Sequence, residues 1–101
     1  MFRLIATDLD GTLLRSDKTI SKETEDTLAA LGERGVYFVP STGRTHKELP
    51  DAVRGIPFLR YAITTNGGGV YDFKEERYIF NFTIEKEIGE RVLKACRKLP
   101  V

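Results

Sequence analysis

Apolar residues follow two rhythms along this chain. Three short runs, residues 2–7 (FRLIAT), 36–39 (VYFV) and 61–65 (YAITT), are largely continuous rather than alternating. That is the pattern of strands buried on both faces of a parallel sheet. Between the first two runs the period changes. Ser21 is placed to cap a helix, Glu23, Glu25 and Asp26 suit its positive N-terminal end, Leu28 and Leu31 begin an apolar stripe, and Gly35 stops it. A weaker helix is predicted over residues 45–53, disturbed by Pro50 unless that residue lies at a boundary. After the third run, residues 70–72 and 77–80 flank Lys74-Glu75-Glu76 and read as a hairpin. Thr83 then caps a last helix. Its Ile88, Val92, Cys96 and Leu99 fall on one face, Cys96 is read as a core residue, and Pro100 ends it.

Strand, helix, strand, helix, strand is the order of a parallel α/β sheet. Each strand runs into a polar or glycine-rich loop: residues 8–12, 41–44 and 66–69. In open α/β sheets the carboxyl ends of strands meet at one crevice, so these three loops are expected to converge. Residues 13–20 carry the turn Ser16-Asp17-Lys18 between short extended pieces.

Composition narrows the function. The 101 residues include 16 basic and 15 acidic ones, for a net charge of +1. That lacks the basic excess of a nucleic-acid binder. Asp8 and Asp10 interrupt the first apolar run too early for a signal peptide, and no stretch is long enough to span a membrane. The single cysteine, Cys96, excludes an intramolecular disulfide. The expectation is a soluble, cytoplasmic protein with neither nucleic-acid nor membrane partners.

The candidate chemistry lies in Asp8-Leu9-Asp10-Gly11-Thr12. Two carboxylates one residue apart repel each other and require neutralisation. A hard divalent cation such as Mg2+ would supply it. A carboxylate on a rigid strand end can attack phosphorus, and a second one nearby can protonate the leaving oxygen and then activate water. An EF-hand loop is excluded, because its fifth and sixth positions would be Thr12 and Leu13. Thr42 and Gly43 offer a hydroxyl and a backbone N–H to an anionic oxygen, and Arg44 adds a charge-assisted donor, although taken alone these residues read as a plain turn with Thr42 at an N-cap. Asn66 and Gly67 open a flexible loop that can approach a substrate, or simply a loop needing positive φ. His46, the one histidine, sits beside the site and is read as a solvent-facing helix residue in preference to a functional one.

These motifs carry a family resemblance. "DLDGTLL" resembles the first motif of the haloacid dehalogenase superfamily of phosphotransferases. "STGR" resembles the second motif of its Cof-like sugar-phosphate phosphatase branch, and "ITTNGGGVYD" the loop and strand that follow there. The resemblance implies a three-layer Rossmann-like parallel sheet, a β-hairpin and the first helix of a cap, with residues 1–82 in the catalytic core and 83–101 opening the cap. It implies Asp8 as nucleophile and Mg2+ ligand, and Asp10 as general acid/base with its backbone carbonyl on the metal. It also implies phosphate held by the Leu9 N–H, Thr42 and Gly43, with Arg44, Asn66 and Gly67 near the substrate, and residues 13–20 as a flap.

The family's third-motif lysine and fourth-motif acids have no counterpart here; after Gly43 the only aspartates are Asp51 and Asp72. The chain therefore resembles the N-terminal third of such a phosphatase. The expected function is an Mg2+-dependent phosphate-monoester hydrolase of impaired or absent activity, acting on a small phosphorylated metabolite such as a sugar phosphate. The alternative is a catalytically silent domain that binds phosphate or self-associates. In this fragment the first strand would become an exposed sheet edge, through which a homo-oligomer is expected.

Overall fold

A computed structural model describes residues 1–100. Strand β1 (Leu4–Thr7) pairs in parallel with β2 (Tyr37–Pro40), Leu4 opposite Tyr37 and Thr7 opposite Pro40. Helix α1 (Lys22–Glu33) crosses between them. Ser21 caps it as expected, its hydroxyl accepting the Thr24 N–H, and Gly35 follows its end with φ of +75°. Ser41 continues β2 into a parallel bridge with Ile63 of β3 (Tyr61–Thr64). β3 then pairs antiparallel with β4 (Gly69–Asp72), and β4 with β5 (Arg77–Asn81). The outcome is the expected mixed α/β fold: a Rossmann-like parallel part extended by an antiparallel hairpin.

The core lies around β2 and β3. Phe38 and Ala62 meet Leu28 of α1, Leu14 and Ile20 of the flap, and Leu49, Val53 and Ile56. The helix expected over residues 45–53 is two pieces. A single 3-10 turn, His46–Glu48, is closed by a capping box between Thr45 and Glu48, and α2 (Asp51–Arg54) follows with Pro50 at its N-cap. Proline has no N–H to continue a helix but is tolerated at a start.

Three expectations are corrected. β1 is not buried on both faces: it has one neighbour, and Leu4 and Ile5 are exposed. Cys96 is not in the core. It is exposed, as are Ile88 and Val92 on the same face of α3 (Lys86–Arg97) and Leu99 beyond the helix, which ends before Pro100. Helical periodicity identifies an apolar face, but not what covers it. Glu85, not Thr83, stands at the N-cap of α3, with no side-chain cap. The uncovered elements give the chain a radius of gyration of 16.4 Å, against roughly 13 Å for a compact domain of this length.

Candidate active site

Asp8 ends β1. The chain then makes one wide turn, closed by Leu13 N–H to the Asp8 carbonyl at 3.3 Å and Leu14 N–H to the Leu9 carbonyl at 2.9 Å. Gly11 takes φ of +79° in it, a conformation that favours glycine. Leu9 is fully buried and pins the turn to the core, which leaves Asp8 and Asp10 on the outside. The Thr12 hydroxyl donates to Asp8 Oδ2 at 3.3 Å.

Asp10 is neutralised by the chain itself. Arg44 donates from Nε to Oδ2 and from Nη2 to Oδ1, both at 2.8 Å, and Lys18 Nζ reaches Oδ1 at 2.8 Å. Hydrogen bonds from Arg44 and then Lys18 hold the Asp10 carboxyl well below the usual carboxylate range, and the same contact pushes the Arg44 guanidinium up. Lys18 was not expected at the site. Its signal was the Ser16-Asp17-Lys18 turn, which returns the chain toward the loop it has just left.

The second loop is tied to the third. The Thr42 hydroxyl is buried and accepts the Arg44 N–H at 3.1 Å. A hydroxyl that accepts still has a proton to donate, so Thr42 remains a donor for an anionic oxygen. Asn66 N–H donates to the Thr42 carbonyl and Thr65 N–H to the Arg44 carbonyl, both at 3.0 Å. Thr65, Asn66 and Gly67 all take positive φ, of +52°, +53° and +96°. A Cβ on Gly43 would lie 3.0 Å from Asn66 Oδ1, so close packing on the third loop favours glycine there. The three strand ends thus meet, as expected: Asp10, Arg44, Thr42 and Asn66 form one hydrogen-bonded chain, with Asp8 two residues before Asp10 and Gly67 following Asn66.

His46 is not solvent-facing. It stacks on Tyr71 at 3.8 Å between ring centroids, and its Nδ1 shares a 2.9 Å hydrogen bond with the Tyr78 hydroxyl. Burial, with Lys47 and Arg54 nearby, pushes its pKa down.

The donor set suits a hard cation in part. The Asp8 carboxylate faces a hydroxyl rather than a cation, and the Asp10 backbone carbonyl is a second oxygen close in sequence. Mg2+ keeps several waters and often takes only one or two carboxylates, so these oxygens fit it. Among the described residues no cluster of three acidic, histidine or cysteine side chains completes a closed site.

Residues 5–101 match the haloacid dehalogenase-like hydrolase family. The chain belongs to that family. Among its relatives, a putative phosphatase of Buchnera aphidicola (subspecies Schizaphis graminum) is 38% identical over 97 residues, 96% of this chain and 34% of the relative. The 5-amino-6-(5-phospho-D-ribitylamino)uracil phosphatase YcsE of Bacillus subtilis is 37% identical over 69% of the chain and 28% of its own length. A haloacid dehalogenase-like hydrolase structure from B. subtilis superposes with a TM-score of 0.82 at 33% identity, covering 95% of this chain and 33% of that one. The expected likeness to the Cof-like branch of the family is therefore found. The chain spans about a third of the length of the curated relatives it matches.

Proposed function

We propose that this haloacid dehalogenase-like chain carries the nucleophile half of an Mg2+-dependent phosphatase, with Asp8 as the attacking group. The observation that carries the reading is the meeting of Asp8 and Asp10 with Arg44 and Thr42 at the ends of β1 and β2. An Asp8 oxygen attacks phosphorus, the bond from phosphorus to the leaving oxygen breaks, and Asp10 gives that oxygen its proton. Water then attacks the aspartyl-phosphate, Asp10 takes the water's proton, and inorganic phosphate leaves with the Asp8 carboxylate restored. Thr42, the Gly43 and Leu9 N–H groups and Arg44 bind phosphoryl oxygens, and Asn66 and Gly67 border the substrate. The Asp8 carboxylate and the Asp10 carbonyl would hold Mg2+, which when bound offsets the repulsion between nucleophile and phosphoryl group.

Residues 1–82 form part of the catalytic core and residues 83–101 open a cap. The substrate is a small phosphorylated metabolite, a sugar phosphate or a relative of the phosphoribityl compound in the name of YcsE, met in the cytoplasm. Turnover by this chain alone is slow. Among the described residues no cation pairs with Asp8, since Lys18 and Arg44 are both engaged by Asp10. Phosphoryl transfer depends mostly on such positioning and charge.

Hydrolysis of an aryl phosphate, with and without Mg2+, tests this reading against the Asp8→Asn variant. Mg2+-dependent turnover lost in the variant supports it; equal rates in both refute it. A second reading, a silent domain that self-associates, draws on the open edge of β1. A groove lined by Phe2, Ile5, Leu31, Val36 and Tyr37 flanks that edge, and an apolar edge strand is a template for another chain. Sedimentation decides it: a homo-oligomer without turnover favours this reading, and a monomer excludes it.

A further inference from the structure

We infer that Lys18 and Arg44 together form a single anion site, occupied in this structure by the Asp10 carboxylate and taken by the phosphoryl dianion when substrate binds. The inference rests on the phosphatase reading and adds to it a residue, Lys18, and an exchange of partners.

The two cations converge on one atom. Lys18 Nζ and Arg44 Nη2 each lie 2.8 Å from Asp10 Oδ1. They arrive from different elements, the flap and the loop after β2. Each also has support that does not involve Asp10. Arg44 Nη1 donates to the Glu48 carbonyl at 3.1 Å, so the guanidinium stays in place if the carboxylate leaves. Lys18 closes a turn by donating its N–H to the Arg15 carbonyl at 2.9 Å, and Asp17 Oδ1 accepts from the Thr19 N–H at 3.1 Å.

The backbone at Lys18 argues for function rather than stability. Its φ is +67°, a left-handed conformation that disfavours any residue with a Cβ and favours glycine. The return is an ion pair whose partners are 52% and 41% exposed. Such a pair stabilises little and offsets at most the strain. Strained residues of this kind concentrate where a ligand is held. A lysine at this turn is therefore explained by what its ammonium binds.

Asp10 is an internal stand-in for the ligand. It is a monoanion whose side chain is 41% exposed, on a turn next to Gly11, so its departure unpacks no core. A phosphoryl group brings more charge and three oxygens to the same donors, and the Thr42 hydroxyl, bonded to the Arg44 backbone N–H, still has a proton to give. The exchange also frees Asp10 from both cations, as the proton transfers proposed above require.

The test titrates the chain with inorganic phosphate by calorimetry. Asp10→Asn, which removes the internal competitor, is expected to bind about tenfold more tightly than the unmodified chain. Lys18→Met is expected to weaken binding about tenfold, and to cancel the gain when combined with Asp10→Asn. Lys18→Arg keeps binding. Lys18→Gly weakens binding while its Tm holds or rises, an opposition that a merely structural lysine would not give. Phosphate binding that is indifferent to Lys18, or no tighter in Asp10→Asn, overturns the inference and leaves the phosphatase reading standing. No binding by either the chain or Asp10→Asn overturns both.

Discussion

Arg44 grips Asp10 with two parallel hydrogen bonds of 2.8 Å, from Nε to Oδ2 and from Nη2 to Oδ1, across 34 residues of chain. This fork requires the planar guanidinium, and an ammonium cannot reproduce it. Arg44→Lys is therefore not a conservative change. The expected outcome is a loss of about tenfold in phosphate affinity or turnover with little change in Tm, because the pair is reached by solvent on both partners. Calorimetry and a thermal melt on the same sample check it; an unchanged affinity would remove Arg44 from the site.

The same contact fixes a pH dependence. The Asp10 carboxyl is held below its ordinary 3.8 by Arg44 and then Lys18. A depressed acid contributes stability above its unfolded pKa and loses it as pH falls through the folded value. Stability should thus begin to fall as pH drops below about 3.8, and part of that fall should vanish in Asp10→Asn. Asp72 adds to it in the same direction. Burial pushes its carboxyl up, but hydrogen bonds from Arg60 and from the Glu75 and Lys74 N–H groups outweigh burial. Denaturant midpoints measured across the acid range in Asp10→Asn and Asp72→Asn separate the two contributions.

His46 behaves as a base with a lowered pKa. The unfolded chain takes up a proton near 6.5, whereas the folded one resists, because of burial and then the charges of Lys47 and Arg54. Its neutral form therefore supports the fold fully above that pH, and the support declines as pH falls below it. His46→Phe keeps the stack on Tyr71 but gives up the bond to Tyr78. The variant should be less stable than the parent at pH 8, with the gap narrowing toward pH 5. Parallel melting curves that keep a constant gap would contradict this.

Most of the architecture was legible because its signals are local. Continuous apolar runs marked the three parallel strands, and each ended in turn residues that the sheet then brought together. What escaped were relations set by distant neighbours. His46 reads as a surface residue until the hairpin folds Tyr78 against it, 32 residues away. Lys18 reads as a turn residue until its left-handed backbone sends the ammonium to Asp10. Cys96 lies on an apolar face by period, and period carries no information about cover.

Leu9 ties the core to the chemistry. It stands between Asp8 and Asp10, is fully inaccessible, and packs in the cluster that includes Leu14, Phe38 and Val53. Truncating a buried leucine costs about 2–5 kcal/mol, through lost burial and the cavity left behind. Leu13 and Leu14 anchor the far end of the turn in the core, but between the two outward-facing carboxylates Leu9 is the one buried side chain. Leu9→Ala should therefore lower stability within that range and also weaken phosphate binding, although the side chain touches no ligand. Val53→Ala, in the same cluster but away from the turn, is the comparison. It should lower stability and leave phosphate affinity as it was. Equal effects on affinity from both variants would mean that general loosening, rather than the turn at Leu9, controls the site.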